Sequence, residues 1–182
     1  AGNMLGAEQS GFIADLGYET YQKILSEAVT ELKNDEFAEL YVESSGDEKI
    51  SGDDFVDDCQ LESDMEIMFP NEYVPSSSER MLLYRELDGL ELDKDVLDFK
   101  MRLEDRFGKV PYEAMELLRI VPLRRLAKRL GVEKIFLKAG NMTLFFVSNS
   151  ESPYYQSDAF GKIIEYMGKY PRICNLREKN GK

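Results

Sequence analysis

The sequence contains no histidine and no tryptophan among its 182 residues. Without histidine, the chain cannot build a Ser-His-Asp or Cys-His nucleophilic site or a histidine metal site. It also lacks a G-x-x-x-x-G-K-[ST] segment, which excludes a P-loop for nucleotide phosphates. Acidic residues are so abundant that their spacing identifies no catalytic pair. The sequence therefore predicts no catalytic residue, no cofactor site and no metal site of its own.

Cysteine is scarce, and the two that are present, Cys59 and Cys174, form no C-x-x-C unit. Such usage fits a reducing, intracellular compartment better than a disulfide scaffold. No apolar run approaches the length of a membrane span, and the N-terminus lacks the pattern of a signal peptide. We therefore expect a soluble, cytoplasmic protein that makes no membrane contact.

The charge is unevenly distributed along the chain. Residues 31–72 contain 15 acidic and 2 basic side chains, a net charge of −13, out of totals of 35 acidic and 23 basic. The remainder therefore carries 20 acids and 21 bases. Seven bases lie between Arg119 and Lys138, against Glu133 alone. The chain is electrically polarised, although its overall net charge is −12.

Hydrophobic periodicity predicts an α+β fold, with helices packed on a small, mostly antiparallel sheet. A helix is predicted over about 17–33, followed by an acidic linker over 35–58 that lacks the residue order of an EF-hand calcium loop. Alternation from Cys59 to Phe69 predicts a strand. Further predicted elements are a helix ending near Asp88, a helix from about Asp93 to Gly108, a helix opened by Pro111 and kinked or broken at Pro122, a hairpin around Ala139-Gly140-Asn141, a helix beginning at Ser157 or Asp158, and a strand at ICNLR.

These elements predict three segments. Residues 1–34 hold a glycine-rich stretch and a connecting helix, residues 35–58 form the flexible linker, and residues 59–182 form the α+β domain. Asn180-Gly181 is a hairpin signal with a strand on one side only, so we expect this domain to be truncated at its end. The stretch GAEQSG fits no helix or strand pattern, which indicates either a frayed terminus or part of a site.

Four motifs in order resemble those of transcription-repair coupling factors. AGNMLGAEQSG resembles the end of the translocation motif that follows the helicase motor in these factors and in RecG. GYETYQKILSEAV, FPNEYVPSSSERMLLYREL and LEDRFG resemble three segments that separate coupling factors from RecG. The resemblance spans essentially the whole chain and identifies it with the C-terminal domain of that family, with the last segment of the motor attached.

The resemblance implies a regulatory role. The domain would dock on the factor's own N-terminal module, which is related to UvrB, and mask the surface that recruits UvrA. Engagement of stalled RNA polymerase by the ATP-driven DNA translocase would release it. By this resemblance the parent motor is a superfamily 2 helicase that binds ATP, Mg²⁺ and duplex DNA and hydrolyses ATP. Gln9 and Gly11 of the Gln-Ser-Gly loop would couple to that motor.

One predicted helix supplies the candidate docking residues. Successive residues rotate by about 100°, so a core stripe of Val96, Phe99, Leu103 and Phe107 leaves the opposite side to solvent. Asp105 lies directly opposite the stripe, and around it lie Asp98, Met101, Arg102 and Arg106. Asp105 and Arg106 match the family's D-R-F-G, whereas Arg102 stands where its members often have glutamate. The alternative is a solvated face with an Asp98–Arg102 pair worth about 0.3–0.5 kcal/mol.

A nucleic-acid-binding accessory domain of a RecG-like helicase is the rival hypothesis. A cationic helix attracts phosphates, and the candidate contacts in the basic stretch are Arg124, Arg125, Lys128 and Arg129. The net charge of −12 opposes this hypothesis, and Phe136 is the only aromatic residue among those bases. These observations favour a solvated helix partly neutralised by the acidic linker, and the family resemblance favours docking through the Asp105 face.

Overall fold

The computed structural model of the chain describes residues 17–35 and 55–177. Five helices and three strands in these ranges confirm the predicted α+β class. In chain order the elements are α1 (Tyr18–Asp35), β1 (Gln60–Ser63), α2 (Ser77–Asp88), α3 (Asp93–Phe107), α4 (Tyr112–Arg129), β2 (Val132–Lys138), β3 (Asn141–Phe146), a 3-10 turn (Pro153–Gln156) and α5 (Asp158–Lys169).

The sheet has the order β1-β2-β3 and is mixed. Strands β2 and β3 are antiparallel, as the hairpin predicts, but β1 pairs with β2 in parallel, with Leu61 opposite Ile135. A parallel pair needs a long connection, and α2, α3 and α4 lie between β1 and β2 in the sequence. The antiparallel expectation thus describes one of the two strand pairs.

The described residues divide into two compact units. The first contains residues 17–35 and 65–122, and the second contains residues 55–64 and 123–177. All three strands belong to the second unit, whereas α1, α2 and α3 belong to the first.

Only part of the predicted segmentation falls within the described ranges. Phe55 and Val56, which the sequence assigns to the linker, pack in a cluster with Tyr154. The preceding linker residues 36–54, and the segment with Gln9 and Gly11, lie outside the described ranges. The division into three segments therefore stays a prediction.

Aromatic residues form the core of the first unit. Tyr18, Tyr84, Phe69 and Phe99 are each at most 1% exposed, and Tyr21 is 4% exposed. Helix α2 begins after Ser76, whose hydroxyl oxygen accepts a hydrogen bond from the Glu79 N–H, as the predicted serine cap requires. Burial of several large rings supplies much of the stabilisation of this unit.

The strand predicted from Cys59 to Phe69 is shorter than expected. Strand β1 ends at Ser63, and the next carboxylate, Asp64, accepts a hydrogen bond of 2.8 Å from the N–H of Ala139. Further along, Met68 forms only an isolated bridge with Gly17. The alternating pattern up to Phe69 reflects burial in the first unit rather than continued pairing in the sheet.

Two other elements differ from their predictions. Helix α4 runs unbroken through Pro122, so the predicted break does not occur, although proline removes one backbone hydrogen bond; Leu118 and Val121 of the preceding turn are buried. The predicted ICNLR strand is instead a turn, in which the N–H groups of Ile173 and Cys174 both donate to the carbonyl of Tyr170.

The hairpin and the last helix agree with the sequence. Ala139 and Gly140 connect β2 and β3 with φ values of 50° and 74°, the left-handed pair expected of a two-residue hairpin turn. Helix α5 begins after Ser157, whose hydroxyl oxygen accepts a hydrogen bond from the N–H of Phe160. Serine capping thus begins α5 as it begins α2.

Candidate docking site on helix α3

Helix α3 places its apolar stripe in the core of the first unit. Phe99 and Leu103 are 1% and 2% exposed, and Val96 and Phe107 are half-buried. The helix stops at Gly108, which has a φ of 83° and donates its N–H to the carbonyl of Glu104 at 3.0 Å. Both features confirm the helical phase predicted from the sequence.

The opposite side of α3 faces solvent. The five candidate docking residues are all exposed, and Met101 is 60% exposed. Leu97, one turn before Met101, is 57% exposed and adds a second apolar side chain to this side of the helix. The exposed surface therefore combines charged and apolar groups, as protein-contacting surfaces commonly do.

A surface groove of about 660 Å³ lies along α3. Helix α2 contributes Leu83 and Glu86 to its lining. Helix α3 contributes the remaining side chains, which are Phe99, Met101, Arg102, Leu103, Asp105, Arg106 and Phe107. Four of the five sequence-predicted docking residues thus line one groove, and Asp98 lies outside its lining.

Both arginines of this surface are paired with α2. The guanidinium of Arg102 lies 2.5 Å from the carboxylate of Glu86, and that of Arg106 lies 2.5 Å from the carboxylate of Glu79. The Asp98–Arg102 pair weighed in the sequence analysis does not form, because Glu86 reaches Arg102 from the neighbouring helix. Asp98 forms no ion pair with any residue of the described ranges.

Asp105 is the exposed acid of the groove that no cation of the described residues neutralises. Within residues 17–35 and 55–177, no lysine or arginine nitrogen comes within ion-pair distance of its carboxylate. Since Arg102 and Arg106 are matched by α2 carboxylates, the groove presents a negative charge at Asp105 beside apolar surface.

The contribution of α2 to this surface was not predicted from the sequence. Glu79 and Glu86 are seven residues apart and share one face of α2, and Arg102 and Arg106 are four residues apart and share one face of α3. Two acids on one face of a helix and two bases on one face of the next were the signal that could have revealed the pairing.

The basic stretch is largely occupied by internal contacts. Arg124 donates a hydrogen bond to the carbonyl of Cys59 and pairs with Asp58. Burial raises the pKa of the Cys59 thiol to about 11, although the positive charge of Arg124 opposes the rise. Two further bases of the stretch also pair with acids, Arg119 with Glu116 and Lys134 with Glu62, both at 2.6 Å.

The other candidate phosphate contacts lie on the last two turns of α4. Arg125 and Lys128 are half-buried and Arg129 is exposed. Among the described residues, no three acids or cysteines come together as a metal site would require. No helix in the same ranges has the length and apolarity needed to cross a membrane.

The fold and the α3 surface together define an α+β domain with one helix exposed along a charged groove. Residues 63–157 match the TRCF domain, which is more than half of the chain. The chain belongs to the TRCF domain family.

Similar proteins cover nearly the whole chain. The transcription-repair-coupling factors of Rickettsia bellii and Rickettsia typhi are 30% and 28% identical to it over 98% of its length. That of Escherichia coli K12 is 30% identical over 74% of the chain. The chain spans only 14% of the length of the Rickettsia proteins and 11% of the Escherichia coli protein.

A solved structure shares the fold. The crystal structure of the C-terminal domain of transcription-repair coupling factor superposes with a TM-score of 0.56, covering 69% of this chain and 75% of that chain at 16% identity. The two chains therefore share a fold.

Proposed function

We propose that this chain is the regulatory C-terminal domain of a transcription-repair coupling factor. It docks through the α3 groove on the factor's own UvrB-like N-terminal module and masks the surface that recruits UvrA. Release follows when the parent, an ATP-driven DNA translocase, engages stalled RNA polymerase. The observation that carries the proposal is the uncompensated Asp105 carboxylate at an exposed groove with apolar lining.

The charge of Asp105 determines what kind of surface fits the groove. Covering the apolar lining would remove Asp105 from water, which is costly unless the partner supplies a cation or hydrogen-bond donors. Arg102 and Arg106 already have carboxylate partners on α2, so they need no further acid. The groove therefore favours a partner surface with an arginine or lysine next to apolar side chains.

Binding of the chain to the separately produced N-terminal module tests the proposal. Asp105→Lys should weaken binding by roughly 30-fold or more, because loss of a desolvated interfacial charge pair costs about 2–5 kcal/mol. Glu72→Lys is the matched control, since Glu72 is an exposed acid of the same unit outside the groove. Equal binding by both variants and the unchanged chain would reject docking through this groove.

The chain itself is proposed to have no ATPase activity. The absence of a P-loop and of histidine supports this, and ATP and Mg²⁺ are assigned to the parent motor. The coupling of Gln9 and Gly11 to that motor rests on the family motif alone. ATP turnover that disappears on mutation of a residue within this chain would contradict the assignment.

Nucleic-acid binding is less well supported. Arg119, Arg124 and Lys134 are engaged with acids of their own units, which lowers the charge available to phosphates. A salt titration of duplex binding distinguishes the two functions, because phosphate contacts give an affinity that falls steeply with salt. We expect no measurable duplex binding by the chain at 150 mM salt, a concentration of about physiological ionic strength.

A further inference from the structure

We propose that helix α1 regulates the groove on α3, acting as a lever through the last turn of α2; this inference rests on the docking function above. Side chains of α1 are described as far as Ala28, and burial among them is confined to the first turns, at Tyr18, Tyr21 and Gln22. Ile24 and Leu25 are 42% and 41% exposed. Displacement of α1 would therefore act on the residues that contact these first turns.

The attachment of α1 is specific. The N–H of Tyr18 donates to the carbonyl of Ile67 at 3.0 Å, and its hydroxyl donates to the carboxylate of Asp88, near the end of α2. The ring of Tyr84, also on α2, lies 6.0 Å from the ring of Tyr18 and 5.4 Å from that of Tyr21. Helix α1 is therefore fixed to α2 by hydrogen bonding and by ring packing.

The same turn of α2 also holds the docking helix. Glu86, two residues before Asp88, forms the 2.5 Å ion pair with Arg102 of α3. Asp88 contacts α1 while Glu86 contacts α3, so a movement of this turn changes both contacts together. Leu87, between them, is completely buried and ties the turn to the core.

A second route runs through the core. The ring of Tyr84 lies 5.0 Å from that of Phe69, which lies 6.5 Å from that of Phe99 on α3. The guanidinium of Arg102 lies 5.7 Å from the centre of the Phe99 ring. Close-packed rings transmit displacement because the interior leaves little free volume to absorb it. The route reaches the same arginine that Glu86 holds.

These contacts indicate which position of α1 favours docking. With α1 seated, Glu86 neutralises Arg102 and Asp105 remains the uncompensated charge of the groove. If α1 is displaced, Glu86 moves with the end of α2, and Arg102 then adds a positive charge that repels a cationic partner. Seating of α1 therefore favours docking, and displacement favours release.

Tyr18→Phe tests the lever in the full 182-residue chain, because it removes one hydroxyl and keeps the ring. Loss of one hydrogen bond should raise amide hydrogen exchange about fivefold in the first turn of α1 and in α3, and lower affinity for the N-terminal module by a similar factor. Tyr154→Phe is the matched control, since Tyr154 is equally buried and donates its hydroxyl to Leu130 in the second unit.

Three results would overturn the lever. The first is faster exchange in α1 with unchanged exchange in α3 and unchanged affinity. The second is an equal effect of Tyr154→Phe on α3, which would indicate a general loss of stability. The third is unchanged exchange in α3 for Asp88→Asn, which weakens the same bond from the other side. If the unaltered chain does not bind the module, docking fails, while the exchange comparison still tests the link from α1 to α3.

Discussion

Arg106 of α3 and Glu79 of α2 form an ion pair with 2.5 Å between nitrogen and oxygen, and the Glu79 side chain is only 24% exposed. Arg106 is therefore not a free charge of the docking surface, although its sequence position suggested one. If α3 docks as proposed, the Arg106–Glu79 pair presents no net charge to the partner.

Loss of Glu79 should thus weaken docking without unfolding the chain. In Glu79→Gln the guanidinium of Arg106 would face the partner's cation without compensation. The expected result is a weaker complex with the N-terminal module and a free energy of unfolding lowered by at most about 1 kcal/mol, the usual value for exposed pairs. Titration calorimetry and urea unfolding measure the two quantities. Stronger binding by Glu79→Gln would show that Arg106 contacts an acid of the partner.

In the intact parent protein, exchange of charges at Asp105 and Arg106 should expose the UvrA-recruiting surface. The Asp105→Lys, Arg106→Glu variant should bind UvrA before any contact with RNA polymerase, because the lysine at position 105 lies against the partner's cation and the compensating acid stands at the wrong position. The second change places a glutamate next to Glu79, so we expect the melting temperature of this chain to fall slightly. Unchanged capture of UvrA would mean that the exposed side of α3 is only solvated surface. A large fall in melting temperature would mean that Asp105 and Arg106 are needed for folding.

Gly131 should be intolerant of alanine. A Cβ at this position would lie 2.2 Å from a ring carbon of Tyr154, and Gly131 has a φ of 79°. Gly131→Ala should therefore destabilise the chain by about 2–5 kcal/mol, combining left-handed strain with overpacking. Gly140→Ala is the control, because its φ is 74° and nothing lies within 4 Å of its Cβ. If urea unfolding showed the same loss of unfolding free energy for Gly131→Ala and Gly140→Ala, the Tyr154 ring would have to move aside without cost.

The two cysteines should differ in reactivity. Burial raises the pKa of Cys59 to about 11, so at pH 8 only about one molecule in a thousand carries the thiolate that alkylating reagents attack. Cys174 is half-buried on the chain segment after α5. Iodoacetamide at pH 8 should modify Cys174 first, and Cys59 only after urea is added, as read by peptide mass spectrometry. Modification of Cys59 before urea is added would show that solvent reaches its thiol in the folded chain.

Local patterns predicted most of the elements. Serine caps fixed the starts of α2 and α5, Gly108 fixed the end of α3, and the positive φ of Ala139 and Gly140 fits the predicted hairpin. These features succeed because each depends on residues within one or two turns of the chain.

Contacts between distant residues were harder to predict. The Arg102–Glu86 pair joins residues 16 positions apart on different helices, so helical spacing within α3 suggested Asp98 in place of Glu86. Likewise, alternation up to Phe69 could not reveal that pairing with β2 stops at Ser63. The period of a pattern reports which side chains are buried, not what buries them.

Neither compact unit is a continuous stretch of sequence, and this has a consequence for synthesis. Gln60 of β1 pairs with Lys134 of β2, which leaves the ribosome 74 residues later (134 − 60 = 74). At about 5–20 residues per second, β1 waits on the order of 4–15 s before its partner strand exists. During that time the nearby acids Asp57, Asp58, Glu62 and Asp64 repel similar strands on neighbouring nascent chains. We therefore expect the acidic charge around β1 to disfavour association of this unpaired segment with its copies before the sheet can form.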